Sequence, residues 1–486
     1  MSVKKYDCVV IGSGVSGIVA ALKSAHKGLT TLLIEKQNTP GGYFSGFKNE
    51  EGDKFDYAIS YVLSCGSGDV VDTFLKDVGL EERIKFKKLE ATDDIYIGNR
   101  HFQIQKGQKE FKELLLNEFP ESAQEIENLV SWLSDYLQGT ASQGSNAMMF
   151  FMKNFRRDYE EFIKSYISDD LLRDILSLRI QADPSSLMIM AGFIVECYFN
   201  GMYYPVGGSD YFVKSLIDRF EELGGELITD TEIVSLATEG QRVLAAVDAN
   251  GNEYEADTFI YNGDVIKLYE KLVPELISDK TKEKARKRVR GHSSLSMYLT
   301  VKDYDLSRFK GGRVYFTLGR DIFEIYRNIE ADKEPEHTVI KLHFPCTHDA
   351  TLAKDGRQLI RIETDMYYDE LKDTEEKYLS YADKLLKEVE DNLLNGISEK
   401  IVYKRVITPV EYAAMFGHTG GSGTGWAHTT YNMMVSKYGQ KTELGNLFIA
   451  GQWGEYGSGL RQLVLSGEKA FEMAMKAETK KQEVMC

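Results

Sequence analysis

No stretch of this chain stays apolar for long. The longest uninterrupted run, Leu187 to Val195, stops at Glu196 and falls well short of the ~20 residues a membrane-spanning helix needs. Cysteine is sparse: Cys8, Cys65, Cys197, Cys346 and Cys486 are scattered, odd in number and form no CxxC pair. They point to neither a disulfide framework nor a zinc cluster, and a reducing cytoplasm is the expected compartment. The first residues, Lys4-Lys5-Tyr6-Asp7 leading straight into Cys8-Val9-Val10-Ile11-Gly12, are too short and glycine-rich for a signal peptide. The eight histidines show no metal-ligand spacing, and His418 and His428 stand ten apart with glycines between them, so no metal is expected. Only 8 prolines occur among 486 residues, and the 43% hydrophobic, 28% charged composition excludes collagen-like and broadly disordered classes. Lysine and arginine (59) are outnumbered by aspartate and glutamate (75), and the net charge of -16 repels phosphate backbones, against general nucleic-acid binding.

What is present reads as two large interleaved units. Residues 6 to 35 give strand, glycine turn, helix and strand: Asp7–Ile11, Gly12-Ser13-Gly14-Val15-Ser16-Gly17, Ile18–Lys27, then Thr31–Glu35. From Asp72 to about Asn200 the pattern is mostly helical, with amphipathic segments at Asp72–Val78, Lys109–Phe119, Glu121–Gln138, Asp158–Tyr166 and Asp170–Arg179. The cluster Met148-Met149-Phe150-Phe151-Met152 reads as core or helix-packing surface ahead of a substrate-lining role. A helix at Tyr211–Leu223 and strands at Glu226–Thr229, Ile233–Ala237, Val243–Ala249 and Thr258–Tyr261 return to the first sheet. Alternating segments such as Ser296-Tyr298-Thr300 and Ile340-Leu342-Phe344 predict an antiparallel sheet, with a helix at Glu375–Leu394. The basic run from Lys280 to Arg290 reads first as a solvated helix face, with contact to anionic lipid headgroups as the alternative.

The glycine turn has dinucleotide spacing. Gly12 permits the tight turn, Gly14 lets a pyrophosphate approach the backbone, and Gly17 lets the helix pack on the strand. The helix N-terminus offers free N–H groups to phosphate, and Ser16 lies in that first turn. Glu35, 18 residues after Gly17 at the end of the second strand, is placed to bind ribose hydroxyls. Near the other end, strand Leu447–Ala450, loop Gly451–Gly459 and a helix from Leu460 to Met475 repeat the strand-loop-helix logic. No second GxGxxG follows a strand: Gly421-Ser422-Gly423-Thr424-Gly425 lacks that setting.

After Glu35-Lys36 come Pro40-Gly41-Gly42-Tyr43 and Phe55-Asp56, and later Tyr204-Pro205-Val206-Gly207-Gly208, Phe416-Gly417, Gly420-Gly421 and Asn446-Leu447-Phe448-Ile449-Ala450-Gly451-Gln452-Trp453. In these segments the chain resembles the phytoene desaturase, carotenoid cis-trans isomerase and retinol saturase family of FAD-dependent oxidoreductases. The resemblance implies an α/β fold: a Rossmann-like FAD-binding domain of glutathione-reductase type from residues 1–71, 201–290 and 439–486, with an inserted α+β substrate domain from 72–200 and 291–438. It implies FAD held by Gly12, Gly14, Ser16, Gly17, Glu35, Lys36, Gly41, Gly42, Tyr43, Ile233, Gly451, Gly459 and Leu460. In that family the helix beginning at Leu460 would aim its N-terminus at the flavin and favour negative charge on the reduced ring.

The implied reaction is desaturation, saturation or cis-trans isomerisation of carbon-carbon double bonds in a lipophilic, conjugated substrate. Hydride would pass between substrate and flavin, with an external electron carrier or no net redox change. Arg461 stands where relatives carry proline, and Tyr43 where they carry a basic or small residue. Arg461, Tyr43 and Tyr456 are therefore the catalytic candidates, with a salt bridge from Arg461 to Glu455 as the alternative role for the arginine. Two rival readings share the fold: a flavin amine or amino-acid oxidase, and a prenyl-protein escort without catalytic flavin.

Overall fold

A computed structural model describes residues 5–141, 145–180, 185–333, 336–435 and 439–485. The strand–glycine turn–helix–strand unit predicted at the start is present as Lys5–Ile11, Val15–His26 and Thr31–Ile34. Thr31–Ile34 is buried throughout and the first strand from Cys8 onward, the continuous apolar pattern of a parallel sheet covered on two faces. Lys5–Ile11 is central in a seven-stranded sheet, flanked in parallel by Thr31–Ile34 and Glu253–Tyr261. Glu226–Ile228 extends one edge, while Ile233–Glu239 and Arg242–Asp248 form the antiparallel meander at the other. Leu447–Ile449 adds in parallel to the last residues of Glu253–Tyr261, so a strand from the far end of the chain joins the sheet beside the glycine turn.

Helix Val15–His26 packs against the C-terminal helix Leu460–Met485. A Cβ on Gly467 would lie 2.5 Å from the Ser16 carbonyl oxygen and 2.8 Å from Val19 Cβ, so the two backbones meet at a distance only glycine permits. The Ser16 hydroxyl donates to the Leu463 carbonyl at 2.7 Å, fixing the register of the pair.

A second seven-stranded sheet runs in the order Ile401–Ile407, Ser293–Val301, Gln358–Met366, Ile340–His343, Gly311–Thr317, Ala91–Ile97, Arg100–Gln105. The last two strands correct the expectation of a mostly helical segment after Asp72. Asp93 and Asp94 interrupt the alternation a strand normally shows, yet both are fully buried. Arg179 Nη2 bonds Asp93 at 2.5 and 2.6 Å, and Asp94 accepts from Gln103 at 2.8 Å and the Gly311 N–H at 3.0 Å. Partnered in this way, buried carboxylates are tolerated inside a sheet.

Two further expectations change. Met148, Met149 and Met152 are 63%, 65% and 59% exposed, so the methionine cluster is a surface rather than core; only Phe150 turns inward, against Trp132. The basic run forms helix Asp279–Lys287, but Arg288 leaves the solvated face and lies 4.4 Å over the Trp426 ring. Among the described residues no helix is long and apolar enough to cross a membrane.

Candidate functional site

The glycine turn is built around Asn262, which directly follows strand Glu253–Tyr261. The Asn262 N–H donates to the Ile11 carbonyl at 2.8 Å, and its side-chain amide donates to the Gly14 carbonyl at 3.1 Å and Gly12 carbonyl at 3.4 Å. Gly12, at φ +95°, has no room for a side chain: a Cβ there would sit 2.5 Å from the Asn262 carbonyl oxygen. A Cβ on Gly17 would lie 2.1 Å from the Gly12 carbonyl oxygen, and one on Gly451 2.2 Å from Asn262 Oδ1. One asparagine thus touches both glycine-rich loops, which are over four hundred residues apart in sequence.

Beside this clamp opens a cavity of about 610 Å³. Its floor includes Gly12, Gly14 and Ser16, where the first N–H groups of helix Val15–His26 are available to an anion. Gly41 and Gly42, both at positive φ, form the facing wall; the Gly41 N–H donates to the Ser13 carbonyl at 2.9 Å. Glu35 lies at one end. Its Oε2 accepts from the Ser13 N–H at 2.8 Å and hydroxyl at 2.6 Å, and its Oε1 from the Gln37 N–H at 2.9 Å. Oε1 keeps a lone pair for a ribose hydroxyl. Ile233 lines the same end; the Lys36 ammonium reaches Gly417, and burial pulls its pKa below its ordinary value.

The other end is aromatic. Tyr43, Tyr57, Phe416, His418 and Trp453 line it, with Tyr43 4.2 Å from Phe416 and stacked on His418 at 5.6 Å. The Tyr43 hydroxyl donates to the Gly421 carbonyl at 3.1 Å. The Trp453 indole N–H donates to His418 Nδ1 at 2.8 Å, so a neutral His418 carries its proton on Nε2. Burial, opposed by Asp264, draws the His418 pKa down to about 4, and burial raises that of Tyr43 well above its ordinary value. Tyr43 and His418 are therefore uncharged at neutral pH, with Asp264, Lys36 and Lys267 as the charged neighbours of His418. Asp264 ties this end to the sheet by accepting from the Thr419 N–H at 2.6 Å.

These features fit FAD. Phosphates would meet a side-chain-free turn at a helix N-terminus, ribose would meet Glu35, and a flat ring would meet the aromatic end. Of the residues expected at the cofactor, Gly12, Gly14, Ser16, Glu35, Lys36, Gly41, Gly42, Tyr43 and Ile233 line the cavity. Gly17 lies behind it, in the turn–helix contact. Gly451, Gly459 and Leu460 do not line it: Gly451 packs on Asn262, Gly459 is exposed and Leu460 is buried in the core. The C-terminal segment reaches the cavity through Gln452, Trp453 and Leu463 instead.

Of the catalytic candidates, Tyr43 lines the cavity, whereas Tyr456 and Arg461 do not. Arg461 makes no ion pair with Glu455; its electrostatic neighbour is Tyr136. Sequence reasoning missed Asn262, Asp264 and the role of His418. The first two follow a strand with no motif around them, while Phe416-Gly417-His418 sits inside a segment already singled out for its glycines.

The profile of the flavin-containing amine oxidoreductases matches residues 15–470. Chloroplastic prolycopene isomerase of Arabidopsis thaliana is 25% identical across 95% of this chain and 81% of its own length. The lycopene-forming phytoene desaturase of Paracoccus sp. is 21% identical across 96% of this chain and 97% of its own. Among solved structures, an oxidoreductase from Methanosarcina mazei superposes with a TM-score of 0.67 at 16% identity, over 96% of this chain and 100% of that one, a likeness of fold. With that profile spanning nearly its whole length, the chain belongs to the flavin-containing amine oxidoreductases and is an FAD-dependent oxidoreductase with a Rossmann-like nucleotide unit.

Proposed function

We propose that this enzyme acts on carbon-carbon double bonds of a lipophilic, conjugated substrate, by desaturation, saturation or cis-trans isomerisation. The observation that carries the reading is the aromatic end of the cavity, where Tyr43 occupies the position after the Gly-Gly pair. Relatives named for polyene chemistry along nearly the full chain support it. We assign the nucleotide unit to 1–71, 201–290 and 439–486 and the substrate unit to 72–200 and 291–438. FAD, when bound, supplies two-electron chemistry. The chain's own side chains shape the site: Tyr43 and Phe416 form an apolar wall, Trp453 fixes the tautomer of His418, and His418 offers an N–H on Nε2.

Desaturation or saturation would draw on a separate electron carrier, whereas isomerisation involves no net redox change. The Gly421–Gly425 stretch builds no nucleotide turn; Gly421 packs on Ser293 and Gly425 on Gln452. The test is anaerobic incubation of the FAD-loaded enzyme with polyenes, retinoids and unsaturated acyl compounds, with products separated by chromatography. Altered double bonds are expected. Peroxide formed from amines and dioxygen in a parallel aerobic incubation, with every polyene untouched, would favour the amine oxidase reading instead.

A further inference from the structure

Beyond Tyr43 and Tyr57, which line both spaces, lies a second cavity of about 140 Å³ on the face of the second sheet. Four charged side chains line it: Arg313, Lys341, Glu363 and Asp365. They come from neighbouring strands, and the residues beside them, Val314, Leu342 and Ile362, belong to the apolar core on the opposite face. Alternation would give the charged face to water. Here it is enclosed: the side chains of Arg313 and Glu363 are each 12% exposed and that of Lys341 7%.

The charges are unequally partnered. Lys341 Nζ lies 2.5 Å from Asp365 Oδ2, which also accepts from the Tyr326 hydroxyl at 2.7 Å. Glu363 is shared: Arg361 Nε approaches it at 3.1 Å and Arg313 Nη2 at 3.4 Å. Arg313 also reaches Ser60 Oγ at 3.3 Å and lies over the Tyr61 and Tyr315 rings at 5.4 and 5.9 Å, but its Nε has no hydrogen-bond partner. His292, whose side chain is 8% exposed, adds a second unpartnered nitrogen, Nδ1, to the lining. A buried guanidinium with an unmet donor is costly unless something accepts from it, and its planar fork matches a carboxylate.

We propose that this chamber receives a carboxylate at one end of the lipophilic substrate, bound by Arg313 and His292, while the conjugated chain extends past Tyr43 and Tyr57 to the flavin. The assignment rests on the function proposed above and narrows it from polyenes in general to unsaturated acids. The volume suits a carboxyl group with a few carbons, not a bulky hydrocarbon terminus.

The test uses the FAD-loaded full chain, titrated with retinoic and linoleic acids and with their methyl esters while flavin absorbance is followed. Each acid is expected to bind at least tenfold more tightly than its ester. In Arg313→Met the acid loses at least tenfold and the ester is unchanged; Arg313→Lys recovers part of the loss. Near-ultraviolet circular dichroism and flavin content report whether the variants fold, and the wild-type acid-to-ester ratio stands by itself if they do not. Equal binding of acid and ester, or discrimination surviving in Arg313→Met, would overturn the proposal. If esters or hydrocarbons are transformed without preference for acids, only this inference falls. If amines alone are turned over, the function proposed above falls with it.

Discussion

Asn262 makes two side-chain hydrogen bonds to the glycine turn and packs against Gly451. Net contributions of about 1 kcal/mol per hydrogen bond predict that Asn262→Ala lowers stability by ~1–3 kcal/mol and weakens FAD retention; denaturant unfolding and flavin release measure the two effects. Glu35 was legible from its spacing to Gly17, because the second strand of a βαβ unit has a nearly fixed length. Removing its carboxylate leaves the Ser13 N–H without its acceptor. Glu35→Ala is expected to weaken FAD binding roughly tenfold or more, the scale of one or two hydrogen bonds, in equilibrium dialysis; undiminished retention would count against the ribose role. Asn262 was not legible, since its importance comes from which turn the strand before it lies beside, and no local pattern encodes that neighbour.

At the scale of elements, the contact between helices Val15–His26 and Leu460–Met485 depends on Gly467. A valine there would press into Ser16 and Val19, and overpacking of this kind costs about 1–3 kcal/mol. Gly467→Val is expected to melt several degrees lower; an unchanged melting temperature would show that the helices separate without cost. The parallel strands and the major helices could be read from periodicity because burial and pattern agree in them. Ala91–Gln105 could not, because its strands bury Asp93 and Asp94 against partners as distant as Arg179 and Gly311. The charged chamber was hidden for a related reason: Arg313, Lys341, Glu363 and Asp365 alternate with apolar residues as a solvent-facing strand surface does, and only the tertiary fold closes over them.

Over the whole molecule, burial holds His348, His418 and His428 at pKa values of about 4, below their ordinary 6.5. The unfolded chain binds these protons first as pH falls, so the stability they confer is complete above about 6.5 and is lost on descending to about 4. At 1.36 kcal/mol per unit, each accounts for up to ~3 kcal/mol. Urea unfolding should show a steep loss of stability between pH 6.5 and 4, and His428→Asn should flatten part of it; a loss confined to pH below 4 would contradict the assignment. At this scale the sequence already implied that the two ends of the chain meet at one coenzyme, through the glycine turn and the Gly451–Gly459 loop with the helix that follows it. It expected Gly451, Gly459 and Leu460 there, whereas Gln452, Trp453 and Leu463 line the cavity.

The most direct test is a crystal structure of the FAD-loaded protein. Density for the adenosine end against Glu35 and for the ring against the aromatic wall of Tyr43, His418 and Trp453 is the predicted result. Flavin bound elsewhere, or a cavity that closes on its own side chains and excludes it, would contradict the account.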